Sequence, residues 1–289
     1  MGAIANVFGY VLNYLYNLVQ NYGLAIILFS VLLKLIMLPF SIKQQKTMKK
    51  SAKVQNEMNK LQVKYKNNPE KLNQEVMALY KREKVSPFSG CLSSILQLII
   101  FVSVFYLVSR PLTFMKKIDA NIINNYTEEL TQSGDNSNYK EIKIIENKAS
   151  EDENVYINMS FLGLDLSKVP MNNIKDIKTF IIPILYVITT FFNIKISTSM
   201  TKNKKKKDTK EIGDGKEDQD KEENVNDQME SMQQMTNSMN YMMPIMSIGI
   251  AIIAPLGLSL YWLVSNILQL TERLILNYIS DKKEKEEAK

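Results

Sequence analysis

The sequence predicts an all-α, polytopic membrane protein with five transmembrane helices around a hydrophilic groove, plus a cytoplasmic helical hairpin. Three observations lead there. Long windows of the chain are almost free of charge: Lys34 is the only charged residue between Leu24 and Phe40, while Cys91–Ser109, Thr179–Ile194 and Ser231–Thr271 carry none. That one cation sits inside a window rather than at its edge. The most strongly basic stretch lies between the first two windows, where Lys43 to Lys84 holds 12 Lys/Arg against 4 Glu, a net +8.

A hydrocarbon core about 30 Å thick needs about 20 apolar residues at 1.5 Å each. The first two windows fit one span each, the third suffices with its flanks, and the fourth holds two. Residues 1–22 read as an interfacial helix outside the membrane. Asn6, Asn13, Asn17 and Gln20 share one helical face, with Val7, Val11, Leu15 and Leu18 largely elsewhere. An early start of the first span is the other reading. Residues 1–33 carry no charged side chain, so the basic start of a secretory signal is missing and the first span, 23–42, is expected to act as its own signal.

Residues 43–88 read as a basic helical hairpin. Val54, Met58, Leu61 and Tyr65 form a narrow apolar stripe, Asn67-Asn68-Pro69 interrupts it, and Leu72, Val76 and Leu79 restart it. Proline ends the first helix and suits the first turn of the second. The second span follows at 90–110. The segment 111–178 is polar and mixed in charge, and the third span is 179–198. The linker 199–234 opens on Lys202 and Lys204–Lys207, then turns acidic over 208–227, with the composition of a disordered segment. Met229, Met232, Met235, Met239, Met242 and Met246 recur at helical spacing, either as packing or as an adaptable apolar surface. Pro255-Leu256-Gly257 divides the last window into spans 235–254 and 257–279, and a charged tail occupies 280–289.

Lysine and arginine favour the cytoplasmic side. The +8 hairpin and the Lys202 run therefore belong inside and 111–178 outside. This gives a multi-pass plasma-membrane protein with an external N-terminus and a cytoplasmic C-terminus.

With no His and one Cys, imidazole acid–base chemistry, disulfide frameworks and Cys/His zinc sites are excluded. Cys91 opens an apolar span and reads as a small apolar residue. There is no glycine-rich phosphate loop and no paired acid inside a span. No enzyme, cofactor, nucleotide or metal is expected.

Lys34 lies about 16 Å along its span, where a charge costs from about 2.5 to over 10 kcal/mol. It is about 12 Å short of the cytoplasmic end, beyond the unaided reach of its stem. With no acidic residue read into another span, a water-filled cavity is the economical solution. A lysine snorkelling at a thinned edge is the alternative. Polar side chains for such a cavity are Gln97 in the second span, Thr189, Thr190 and Asn193 in the third, and Trp262, Ser265, Asn266 and Gln269 in the last. Each alone would be an interhelical hydrogen bond worth about 1 kcal/mol. Together with the cation they describe a wet, positively charged groove.

Four stretches then look familiar. NYGLAIILFSVLLKLIMLPFSIKQQKTMKK resembles the first core span of the YidC, Oxa and Alb-type membrane insertases in their five-span bacterial form, intramembrane cation included. VKYKNNPEKLNQEVMALYKREKVSPFSGCL is similar to their cytoplasmic hairpin, SFLGLDLSKVP to the external segment before their third core span, and MNYMMPIMSIGIAIIAPLGLSLYWLVSNILQL to their last two spans. The resemblance covers most of residues 20–278 in order. The chain departs from the family's usual pattern in having Lys34 for Arg, Ser93 and Ile99 where two prolines are frequent, Asn193 for Gln, and a longer acidic linker.

The resemblance implies an insertase and chaperone whose groove opens to cytoplasm and lipid. A client helix with a short, often acidic tail is drawn toward the cation, and its apolar segment then partitions into lipid. The groove shortens the dry path for the tail. Implied partners are nascent membrane proteins, the ribosome or targeting machinery, the general translocation channel and anionic lipids, with no nucleotide. Lys49, Lys50, Lys53, Lys81 and Arg82 of the hairpin would dock such partners, or are simply a solvated face. The competing class is an ion or solute transporter or channel; such folds show internal repeats, and none is visible here. A passive scaffold is a third reading.

Overall fold

The computed structural model describes residues 2–65, 68–84, 89–135, 137–210 and 248–287. Helices dominate: α1 (Gly2–Val19), α2 (Tyr22–Lys64), α3 (Pro69–Glu83), α4 (Ser89–Ser109), α5 (Ala120–Gln132), α6 (Lys140–Lys148), α7 (Ile181–Lys210), α8 (248–253) and α9 (Leu256–Glu287). Among the described residues, Tyr22–Thr47 and Ile177–Ile196 are long and apolar enough to cross a membrane, and Ile95–Ser109 is a shorter apolar helix. The methionine series, most of the acidic linker and most of the expected fourth span lie outside the described residues.

α2 starts where Gln20 turns left-handed (φ 50°) and Asn21 caps the helix, its side chain accepting the Leu24 N–H at 3.0 Å. The helix then runs unbroken for 43 residues, with Pro39 inside it. The boundary expected near residue 42 is thus no helix end. Charge changes there, but Lys, Gln and Met are good helix formers, so composition shifts without interrupting the backbone. α3 folds back on the far half of α2. Asn68 accepts the Lys71 N–H at 3.0 Å and Pro69 takes the first turn. Val54, Met58 and Leu79 are buried between the arms with Leu61, Val76 and Tyr80 packed around them.

α2, α7 and α9 all start from one small platform, residues 158–180. It contains a two-stranded antiparallel pair, Ser160–Phe161 with Leu164–Asp165, closed by Leu162 and Gly163 at positive φ (51° and 77°). Helix starts leave N–H groups without intrahelical partners, and here the platform supplies them. Tyr22 N–H donates to the Asn158 carbonyl at 3.0 Å, Leu256 N–H to that of Lys168 at 2.9 Å, and Gly257 N–H to that of Leu166 at 3.0 Å. A short 3₁₀ turn, Ile177–Phe180, leads directly into α7. The three helices therefore run parallel, and residues at similar distances from the platform face one another.

The segment just past α4 packs on α1. Past α4 the chain makes one π-helical turn, Leu112–Lys116, that ends on left-handed Lys117 (φ 56°). α1 buries Ala5, Gly9, Leu12 and Tyr16 and exposes Val7, Tyr10, Tyr14 and Leu18. Glu141 of α6 is only 6% exposed. It accepts from the Thr113 N–H at 2.9 Å and the Thr113 hydroxyl at 2.6 Å, tying α6 to the π turn. Burial pushes its carboxyl above the ordinary range, opposed by the hydrogen bonds from Thr113 and the Leu112 backbone.

Gly9 is required by proximity: a Cβ there would stand 1.8 Å from the Phe114 carbonyl oxygen. Since the obstacle is backbone, no side-chain rotation relieves it. Gly9→Ala is expected to detach α1 from the π turn and cost about 1–3 kcal/mol, read as a lowered melting temperature in detergent. An unchanged melt would mean that α1 docks elsewhere.

Candidate functional site

Lys34 stands about 18 Å along α2 from its first residue, among exposed apolar neighbours such as Leu35 and Ile36. Its ammonium forms an ion pair with the Glu272 carboxylate of α9. This corrects the expectation that no acid in another span pairs with it. The charge-free window stops at Thr271, one residue short of Glu272, but the expected last span, 257–279, already contains that acid, and α9 runs on to Glu287. Because α2 and α9 leave the platform side by side, Glu272 reaches the level of Lys34. The Lys34 side chain is 26% exposed and that of Glu272 11%, so the cation is the more accessible member. Further along, Gln45 donates to Asn277 at 3.3 Å, a second link between the two helices.

A neutral polar cluster lies between α7 and α9, nearer the platform. The Asn193 amide donates to the backbone carbonyl of Asn266 at 3.0 Å and to its side-chain oxygen. The Asn266 amide donates in turn to the Thr190 hydroxyl at 2.7 Å and the Thr189 hydroxyl at 3.3 Å. Thr190 and Asn193 are 5% and 8% exposed. One turn closer to the platform, Trp262 stacks on Phe101 of α4, with ring centroids 5.6 Å apart and planes at 6°, and leans on Tyr186 of α7 at 6.1 Å. Its indole N–H is buried with no hydrogen-bond partner among the described residues, as are Asn193 Oδ1 and Glu272 Oε1.

Of the residues singled out in the sequence, Thr190, Asn193 and Asn266 form one network and Trp262 adjoins it. Lys34 meets Glu272 about 9 Å further along α9 than Asn266. Ser265 is half-buried on α9, while Gln97 on α4 is exposed and stands apart from the network. Lys50, Lys81 and Arg82 are exposed on the hairpin, and Arg82 is paired with Glu57 and Glu83. The side chains of Lys49 and Lys53 lie outside the described residues. Glu272 is the residue that sequence reading missed. It follows Gln269 by three residues and Ser265 by seven, so the helical period of α9, carried past Thr271, places it on the same face.

Chemically the site offers an ion pair, amides, hydroxyls and an indole. Among the described residues no group of three or more His, Cys, Asp or Glu side chains comes together to hold a metal ion.

Long apolar helices that carry charged and polar side chains on their facing sides fit a helical membrane protein. Within that class the chain belongs to the 60Kd inner membrane protein family, the YidC/Oxa family, whose family model matches residues 14–284. A membrane protein insertase YidC of Caldanaerobacter subterraneus subsp. tengcongensis is 28% identical over 276 residues, 95% of this chain and 94% of that protein. The insertase YidC of Syntrophus aciditrophicus is 46% identical over 94 residues, 32% of this chain and 17% of the relative. That of Caulobacter vibrioides is 43% identical over 103 residues, 36% and 16% respectively. The chain thus spans nearly all of the first relative and less than a fifth of the other two.

Proposed function

We propose that this protein is a membrane protein insertase and chaperone, built of five spans around a polar groove open to cytoplasm and lipid. The observation that carries the reading is the charge at Lys34: a half-sheltered ammonium among apolar side chains, paired with Glu272 about 9 Å along α9 from a buried amide–hydroxyl cluster. A polar client tail entering beside these groups meets hydrogen-bond partners and charge instead of hydrocarbon, which lowers the barrier to moving it. The client's apolar segment then leaves for lipid, and this partition supplies the driving force. No nucleotide is consumed. In this reading Lys34, Thr190, Asn193, Trp262, Ser265 and Asn266 line the path, and Gln97, exposed on α4, stands outside it.

The N-terminus lies outside and the C-terminus in the cytoplasm. The parallel run of α2, α7 and α9 supports this, because helices that start from one platform share one direction across the bilayer. The basic arms of α2 and α3 then project into the cytoplasm, where Lys50 and Lys81 face the ribosome, targeting machinery or anionic headgroups. The test is reconstitution: purified protein in liposomes should raise the protease-protected fraction of a labelled single-span client several-fold over empty liposomes. Equal protection with and without the protein would overturn the reading.

A further inference from the structure

We propose that Glu272 is a resident counter-ion on Lys34 that an acidic client tail must displace, so that Glu272 sets which tails the protein favours. The proposal rests on the insertase reading and names its substrate class. The pair bridges two parallel helices that leave the same platform. A carboxylate entering from a client cannot simply add itself to the cation. It exchanges one ion pair for another, and the freed Glu272 carboxylate is left 11% exposed without its partner. The exchange is therefore nearly balanced or unfavourable. A tail rich in donors meets a different site. Glu272 Oε1 is buried and has no hydrogen-bond partner among the described residues, so once α2 and α9 part to admit a tail it can accept from an amide, a hydroxyl or an ammonium while Oε2 keeps Lys34. As built, the site discriminates against acidic tails and accepts neutral polar ones.

The test uses the full-length protein in phosphatidylglycerol–phosphatidylethanolamine liposomes. Three clients share one apolar span and differ in an outer tail carrying paired aspartates, asparagines or lysines. Glu272→Gln keeps the shape and removes the counter-charge. It is expected to raise the ratio of aspartate-tail to asparagine-tail insertion about threefold to tenfold, and the double variant Lys34→Gln/Glu272→Gln to return that ratio to the wild-type value or below. An unchanged ratio in Glu272→Gln, with the wild type inserting its clients, would overturn the proposal and leave the insertase reading intact. Equal loss on all three tails together with a lower melting temperature would also overturn it, marking the pair as purely structural. Failure of the wild type on every client would sink the insertase reading and this proposal with it.

Discussion

Lys34→Glu is expected to reduce insertion of acidic-tailed clients at least tenfold and to lower the melting temperature. The variant replaces an ammonium–carboxylate pair with two carboxylates in a site where Glu272 is 11% exposed. Like charges at such separation cannot both ionise; one takes up a proton or the helices move apart. Breaking a fully buried pair costs about 3–5 kcal/mol. Because Lys34 is 26% exposed, solvent screens part of that, and about 2 kcal/mol is the better expectation. Insertion suffers separately, because no cation remains to face the client tail. Lys34→Arg keeps the charge and offers a planar fork to Glu272, so insertion within about twofold of wild type is expected. The charge-swapped double variant Lys34→Glu/Glu272→Lys should recover stability to within about 1 kcal/mol. Trp262, the single tryptophan, stacks on Phe101 across the helices, and its fluorescence reports unfolding directly. If Lys34→Glu melts and inserts like wild type, the ion pair has no role in either property.

The helical membrane class was legible because hydrocarbon imposes a length and a composition that few soluble segments match. The windows at 24–42, 91–109 and 179–194 lie within or along α2, α4 and α7. Family membership was legible from the order of four stretches. Less visible was anything that depended on where a charge-free window stops rather than where a helix stops. Lys43 and Glu272 each look like a boundary in composition, yet α2 and α9 pass through them, and the second of these hid the partner of Lys34. The balanced charge of 110–178 says nothing of its internal packing. The burial of Glu141 against Thr113, the π turn under Gly9, and the platform feeding three helix starts all arise from contacts between distant parts of the chain. The polar residues of α7 and α9 could be assigned to facing helices from sequence. That Asn193 and Thr190 converge on one residue, Asn266, required the parallel register that the platform sets.

That convergence gives the second large effect. Asn266→Leu is expected to cost about 1–2 kcal/mol. It removes the acceptor of Asn193 and the donor to Thr190, leaving both in sites under a tenth exposed. The losses are unequal. Thr190 can turn its hydroxyl back onto a carbonyl of its own helix. Asn193 retains only the Asn266 backbone carbonyl at 3.0 Å, and its Oδ1 already lacks a partner among the described residues. Asn193 is therefore the group that suffers. Replacing it as well, in Asn193→Leu/Asn266→Leu, should recover most of the stability, since removing both members of a buried pair is far milder than removing one. Insertion should not recover with it. If the cluster lines the client's path, the double variant is the drier of the two, and a polar tail pays more to pass it. Stability and insertion are thus expected to part company in the double variant, with a melt near wild type and insertion at least threefold lower by the same desolvation argument. Were the two to rise and fall together through single and double variants, the cluster would be a helix clamp, and the path for clients would have to lie along another face of α9.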